Sequence, residues 1–141
     1  MLRVTLDTNV FVSSLLTPRG ASAQVLDAWR KRQYLLVISL AILAEIQTTL
    51  NYPHIRNKYF ITDKDIRQLT TLLEKDALLV PGEAVISDVT LADPKDVMVL
   101  ACAVDGQADW IVSGDHHLLE LGEYQGISIL AIRQFLERLS A

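Results

Sequence analysis

A single cysteine, Cys102, is all the thiol this chain has, so neither an internal disulfide nor a cysteine-based zinc site is available to it. It lies in an apolar helical stretch, where it reads as small core filler. Uninterrupted apolar runs fall well short of the roughly 20 residues that cross a bilayer, although half the residues are hydrophobic and the mean hydropathy is +0.26. The apolar content is therefore core. A basic field is missing as well: the net charge is -4 and the pI near 5.3. Nucleic acid, if bound, must be held by metal or by local patches. The two candidates, Arg30-Lys31-Arg32 and His54, Arg56, Lys58, read first as solvated helix ends. Repeats, low-complexity tracts and linkers are absent, and 141 residues suit one domain spanning 1–141. Only Arg3 precedes a short strand, which is not the basic-then-apolar layout of a signal peptide. A cytoplasmic location, with no membrane contact, is the expectation.

Short apolar runs alternate with helical periodicity throughout. Strands are predicted at Leu2–Leu6, Tyr34–Ile38, Trp110–Val112 and Ile127–Leu130, with a further one at either Ala77–Val80 or Ala84–Ile86, on the two sides of Pro81-Gly82. Helical spacing begins at about Val10, breaks at Thr17-Pro18-Arg19-Gly20 and resumes from Ser22 to Arg32. Ser39 is positioned to cap Leu40–Leu50, and Tyr52-Pro53 ends that helix or forces a new turn. Thr62 with Asp65 forms a capping-box variant before Ile66, Leu69, Leu72 and Leu73, the clearest amphipathic face. Asp93-Pro94 opens a helix whose Val97–Val104 portion is largely apolar, and helices at His117–Leu121 and Ala131–Leu139 complete the chain. Continuous apolar strands with no hairpin signal argue an α/β sandwich whose parallel sheet is covered on both faces.

Four acids stand out in that frame: Asp7, Glu45, Asp96 and Asp115. In an open parallel sheet the loops after the strands' carboxyl ends form the ligand crevice where strand order reverses. Asp7 and Asp115 follow such ends, and Asp96 opens a helix that faces the same crevice. Each also has a bland reading: Asp7 or Asn9 as a cap of the first helix, Asp115 as a cap near His117, Asp96 as a capping-box acid. Capping does not account for Glu45, which lies one turn into its helix along a partly apolar flank. Carboxylates gathered within a few ångströms raise one another's pKa and call for a counter-charge. An all-oxygen ligand set selects Mg²⁺ or Mn²⁺ over zinc. Thr8, Asn9 and Ser113 are short polar neighbours suited to supporting those carboxylates, or simply to forming turns. His116 and His117 are consecutive and are expected to point apart, too divergent to clamp one metal. His54 reads as surface.

At these residues the chain resembles the PIN-domain family, and more narrowly its VapC-like toxins of toxin–antitoxin pairs. The resemblance covers nearly the whole chain and rests on Leu6-Asp7-Thr8-Asn9-Val10, Glu45-Ile46, Asp93-Pro94-Lys95-Asp96 with Leu100-Ala101, and Ser113-Gly114-Asp115 with Leu118-Leu119. It implies a three-layer α-β-α sandwich around a five-stranded parallel sheet and a Mg²⁺- or Mn²⁺-dependent endoribonuclease. Asp7, Glu45, Asp96 and Asp115 would then be the catalytic, metal-holding quartet, supported by Asn9 and Ser113. A homodimer, an RNA substrate and a cognate antitoxin that blocks the acidic pocket are implied too. Two positions depart from the pattern: Val97 stands where a small polar or acidic residue is common, and His117 where another acid is common.

Two other functions fit parts of the sequence. A haloacid-dehalogenase-like phosphatase also places an aspartate after its first strand, but it needs a second acid where Asn9 stands, and a lysine, and no lysine closely follows a candidate strand. A PIN-like module that binds RNA or protein without turnover would have shed its acids. Dinucleotide binding is excluded by the lack of a glycine-rich turn after the first strand.

Overall fold

The computed structural model describes residues 1–91 and 93–140. The chain begins with β1 (Arg3–Leu6), α1 (Thr8–Leu16), α2 (Ala21–Arg30), β2 (Leu35–Ser39), α3 (Leu40–Leu50), α4 (Pro53–Tyr59), α5 (Asp63–Asp76) and β3 (Leu78–Val80). It continues through α6 (Pro94–Asp105), β4 (Trp110–Val112), α7 (His116–Leu121), β5 (Glu123–Tyr124), β6 (Ile127–Leu130) and α8 (Ile132–Ser140). The sheet order is β3-β2-β1-β4-β6-β5. Every pairing is parallel except the one between β5 and β6.

Parallel strands covered by helices on both faces have no solvent side, which is why Val4, Thr5 and Leu6 of β1 and Leu36, Val37 and Ile38 of β2 are all buried. The predicted caps form: Ser39 Oγ accepts from the Ile42 amide at 3.2 Å, and Thr62 and Asp65 exchange both bonds of a capping box. Tyr34, buried just before β2, donates to the Val25 carbonyl at 2.7 Å and meets Phe135 of α8 edge-on at 5.2 Å. Gly106, at the end of α6, lies against Val37 so closely that a Cβ there would overlap the valine's Cγ1. Glycine is what lets that helix end rest on the sheet.

The five predicted parallel strands are all present, with Ala77–Val80 as the location of the third; residues 84–86 form no strand, and Ile86 packs on the core formed by α6, β4 and β6. The absence of any hairpin is corrected. Gln125 and Gly126 both take positive φ, 49° and 82°, the backbone that a two-residue hairpin turn needs to follow strand twist, and β5 folds back as a sixth, antiparallel edge strand. Tyr52-Pro53 does not merely stop a helix; Pro53 is the first residue of α4.

The chain runs from β1 outward through β2 to β3, then returns to the other side of β1 with β4. The crevice therefore lies beyond the carboxyl ends of β1 and β4. Among the described residues no helix is long and apolar enough to cross a membrane.

Candidate metal centre

Asp7 directly follows β1, and its amide extends the ladder by donating to the Val112 carbonyl of β4 at 2.9 Å. It occupies the N-cap position of α1 but its side chain makes no capping bond. The carboxylate instead accepts from Ser113 Oγ at 2.7 Å, and that same oxygen accepts from the Asp115 amide at 2.9 Å. Ser113, fully buried, thus ties the end of β1 to the start of α7. Asp115 does cap α7, accepting from the His117 amide at 3.0 Å. Asp96 sits in the first turn of α6, whose cap is Asp93, accepting from the Lys95 amide at 2.9 Å. The helix end is satisfied without Asp96, which is only 3% exposed. Asp7, Asp96 and Asp115 each present a carboxylate oxygen, all within 4.8 Å of one another.

Burial pushes the Asp7 carboxyl above its ordinary value, with Asp115 adding to the effect and the Ser113 hydroxyl and neighbouring Asn9 and Thr8 amides opposing it. Asp96 is pushed up to about 7, first by burial and then by sharing a hydrogen bond with Asp115 and facing its charge. Asp115 is held below the usual range, chiefly because Asp96 donates to it. The Asp96–Asp115 pair titrates as one unit and retains a proton near neutrality. Two buried atoms beside it, Asp96 Oδ2 and Thr8 Oγ1, have no hydrogen-bond partner. A buried carboxylate with an orphaned oxygen and two more carboxylates close by make a donor set that fits a hard divalent cation of the Mg²⁺ or Mn²⁺ kind.

Glu45 stands on the far wall of the same cleft, a depression of about 110 Å³ also lined by Thr8, Asn9, Thr49, Tyr52, Asp93 and Lys95. Its carboxylate lies outside the close trio, receiving Lys95 Nζ at 2.9 Å and Thr49 Oγ1 at 3.3 Å. The fold therefore brings three of the four predicted acids together and leaves the fourth facing them across the cleft, neutralised by an ammonium. Of the supporting residues, Ser113 bonds the trio directly, Thr8 is buried beside it and Asn9 is exposed at the rim.

Two features were not anticipated from sequence. Lys95 reaches the cleft from a helix, so looking for a lysine after a strand missed it. Tyr52, read only as punctuation before a proline, lines the cleft. One expectation is overturned: His116 and His117 do not diverge. Their ring centroids are 4.0 Å apart, and each offers a nitrogen within 4.8 Å of the other and of an Asp115 oxygen. Both rings lean together at the first turn of α7, next to the Asp115 that caps it.

Residues 3–117 of the chain match the PIN domain family, a span that reaches from β1 past Asp115 and so includes all four acids. An uncharacterized protein of Methanocaldococcus jannaschii is 27% identical over 120 residues, covering 85% of this chain and 75% of that protein. Among solved structures, the crystal structure of VapBC2 from Rickettsia felis bound to a DNA fragment from their promoter matches with a TM-score of 0.59 at 13% identity, over 92% of this chain and 98% of that one. At that identity the likeness is one of fold.

Proposed function

This chain belongs to the PIN-domain family, and from that membership we propose that it is a divalent-cation-dependent endoribonuclease, the toxin of a toxin–antitoxin pair. The observation that carries the proposal is the convergence of Asp7, Asp96 and Asp115, with one buried Asp96 oxygen, Oδ2, left without a partner. Three oxygen ligands of this kind hold Mg²⁺ or Mn²⁺, and such a cation, when bound, supplies a charge sink for a phosphodiester and acidifies attacking water. The protein's own part is to position. Ser113 fixes the Asp7 carboxylate by its hydroxyl and Asp115 by its backbone contact, so the two ligands from β1 and β4 keep their spacing. Asp96 would give up the proton it shares with Asp115 when such a cation is held. Glu45, which lines the same cleft, would complete the set directly or through water.

RNA is the substrate in this reading, and an antitoxin is the regulator. An acidic cleft on an acidic protein is a natural receptor for a basic side chain inserted by such a partner, which would occupy the cation's place. The structural likeness to VapBC2 supports that partnership. A homodimer and a cytoplasmic location belong to the same proposal, as does a single nuclease domain over residues 1–141.

The test is RNA cleavage with and without Mg²⁺ or Mn²⁺ by the wild type, Asp7→Asn and Asp96→Asn, with circular dichroism to establish that the variants fold. Cleavage should require metal and disappear in both. Equal cleavage by the variants would remove the catalytic assignment and leave a binding module.

A further inference from the structure

We infer that Tyr52, backed by the His54 ring, is a stacking site for one nucleobase beside the phosphate being cut. The inference rests on the ribonuclease reading and adds to it a residue that positions the substrate. The acids line a depression of about 110 Å³, and the same lining carries a tyrosine. A nucleotide whose phosphate meets the acids therefore enters beside that ring. Tyr52 is 40% exposed, an unusual place for an aromatic ring in a polar cleft. The His54 ring lies nearly parallel to it, at an interplanar angle of 13° and 5.8 Å between centroids. Together they form a two-ring ledge with a free face.

The ledge is rigid. The Tyr52 carbonyl accepts from the Ile55 and Arg56 amides at 2.9 and 3.0 Å as α4 begins, and Pro53 fixes the first helical φ. Arg56 then pins the segment to its surroundings, pairing with Asp63 at 2.8 Å and with Asn51 at 3.1 Å. A preset aromatic surface loses little entropy when a base settles on it. Lys95 supplies the matching cation: its ammonium is held by Glu45 at 2.9 Å. Aromatic ledge, ammonium and acidic trio line one small cleft, in reach of the base, the phosphate and the cation of a single nucleotide.

The experiment compares the wild type, Tyr52→Ala, Tyr52→Phe and His54→Ala for binding, in Ca²⁺, of a fluorescein-labelled short oligoadenylate and of an abasic ribose-phosphate oligomer of equal length. Tyr52→Ala should weaken oligoadenylate about tenfold, as loss of one base–aromatic stack does, and should leave the abasic probe unaffected. Tyr52→Phe should bind like the wild type, and His54→Ala should fall between. Equal oligoadenylate affinity in wild type and Tyr52→Ala, or the same loss on both probes, overturns the inference. The ribonuclease reading fails separately: base-dependent binding through Tyr52 with no cleavage in Mg²⁺ or Mn²⁺ would keep the stacking site and remove the nuclease, whereas no binding of either probe by the wild type would overturn both.

Discussion

Replacing Asp96 with Asn should make the metal-free protein more stable while abolishing its activity. Asp96 is almost completely buried, and its carboxyl is raised from 3.8 to about 7. A group whose folded pKa lies above its unfolded one favours folding most at low pH. That advantage is complete below about 3.8 and is lost as the pH rises through about 7. Roughly three pH units at about 1.4 kcal/mol each set an upper bound of about 4 kcal/mol. Asp115, drawn down by the same shared proton, recovers part of it, so the net penalty at pH 8 is smaller than that bound. Asparagine keeps the shape and donates permanently to Asp115, so the penalty disappears. For a domain of this length each kcal/mol is worth about 3 °C in Tm, so Tm should rise measurably at pH 8, the gain shrinking toward zero near pH 4. Saturating Mn²⁺ should reverse the order, since a ligand at 100 times its Kd adds about 2.7 kcal/mol to the wild type and much less to the variant. Differential scanning calorimetry at pH 4.5 and 8, with EDTA or Mn²⁺, reads all four conditions. An Asp96→Asn protein less stable than wild type at pH 8 without metal, or a gain independent of pH, would refute the reasoning.

Other outcomes follow from single contacts. Ser113→Ala removes the hydroxyl that orients Asp7 and should weaken Mn²⁺ binding about tenfold or more, measured by calorimetric titration, while the fold persists. Lys95→Met takes away the cation that neutralises Glu45; Mn²⁺ affinity should rise and RNA affinity fall, and movement of both in the same direction would contradict the cleft's charge layout. Gly106→Ala drives a methyl into Val37 and should destabilise the protein by about 1–3 kcal/mol in urea unfolding, without affecting the metal site. Tyr34→Phe removes the hydroxyl that donates to the buried Val25 carbonyl, at about 1 kcal/mol in urea unfolding.

The parallel strands could be read from sequence because β1, β2, β4 and β6 are buried on both faces and appear as unbroken apolar runs. Asp7 and Asp115 were legible for the same reason: each follows such a run, and the strand ends of an open sheet point to one crevice. β5 was not legible. It is two residues long, exists only because β6 offers an edge, and turns through Gln125, a residue type that does not announce a left-handed backbone. Glu45 was legible as an odd acid on a helix, but its distance from the trio depends on how α3 and α6 pack, and its pairing with Lys95 depends on a side chain reaching across that gap. The bland reading of Asp115 as a helix cap holds together with its place in the trio, so capping and metal binding were not true alternatives there. For Asp7 they were, and the Ser113 hydroxyl decides between them.

The bond between Ser113 and Asp7 joins residues 106 apart in the chain, and it has a bearing on how the molecule comes into being. Everything through α6 can be synthesised and can begin to condense while the reactive centre still lacks β4, α7 and Asp115. Nor can β4 settle as an inner strand until β6, which flanks it, has left the ribosome. The three carboxylates are therefore brought together last, by the C-terminal strands.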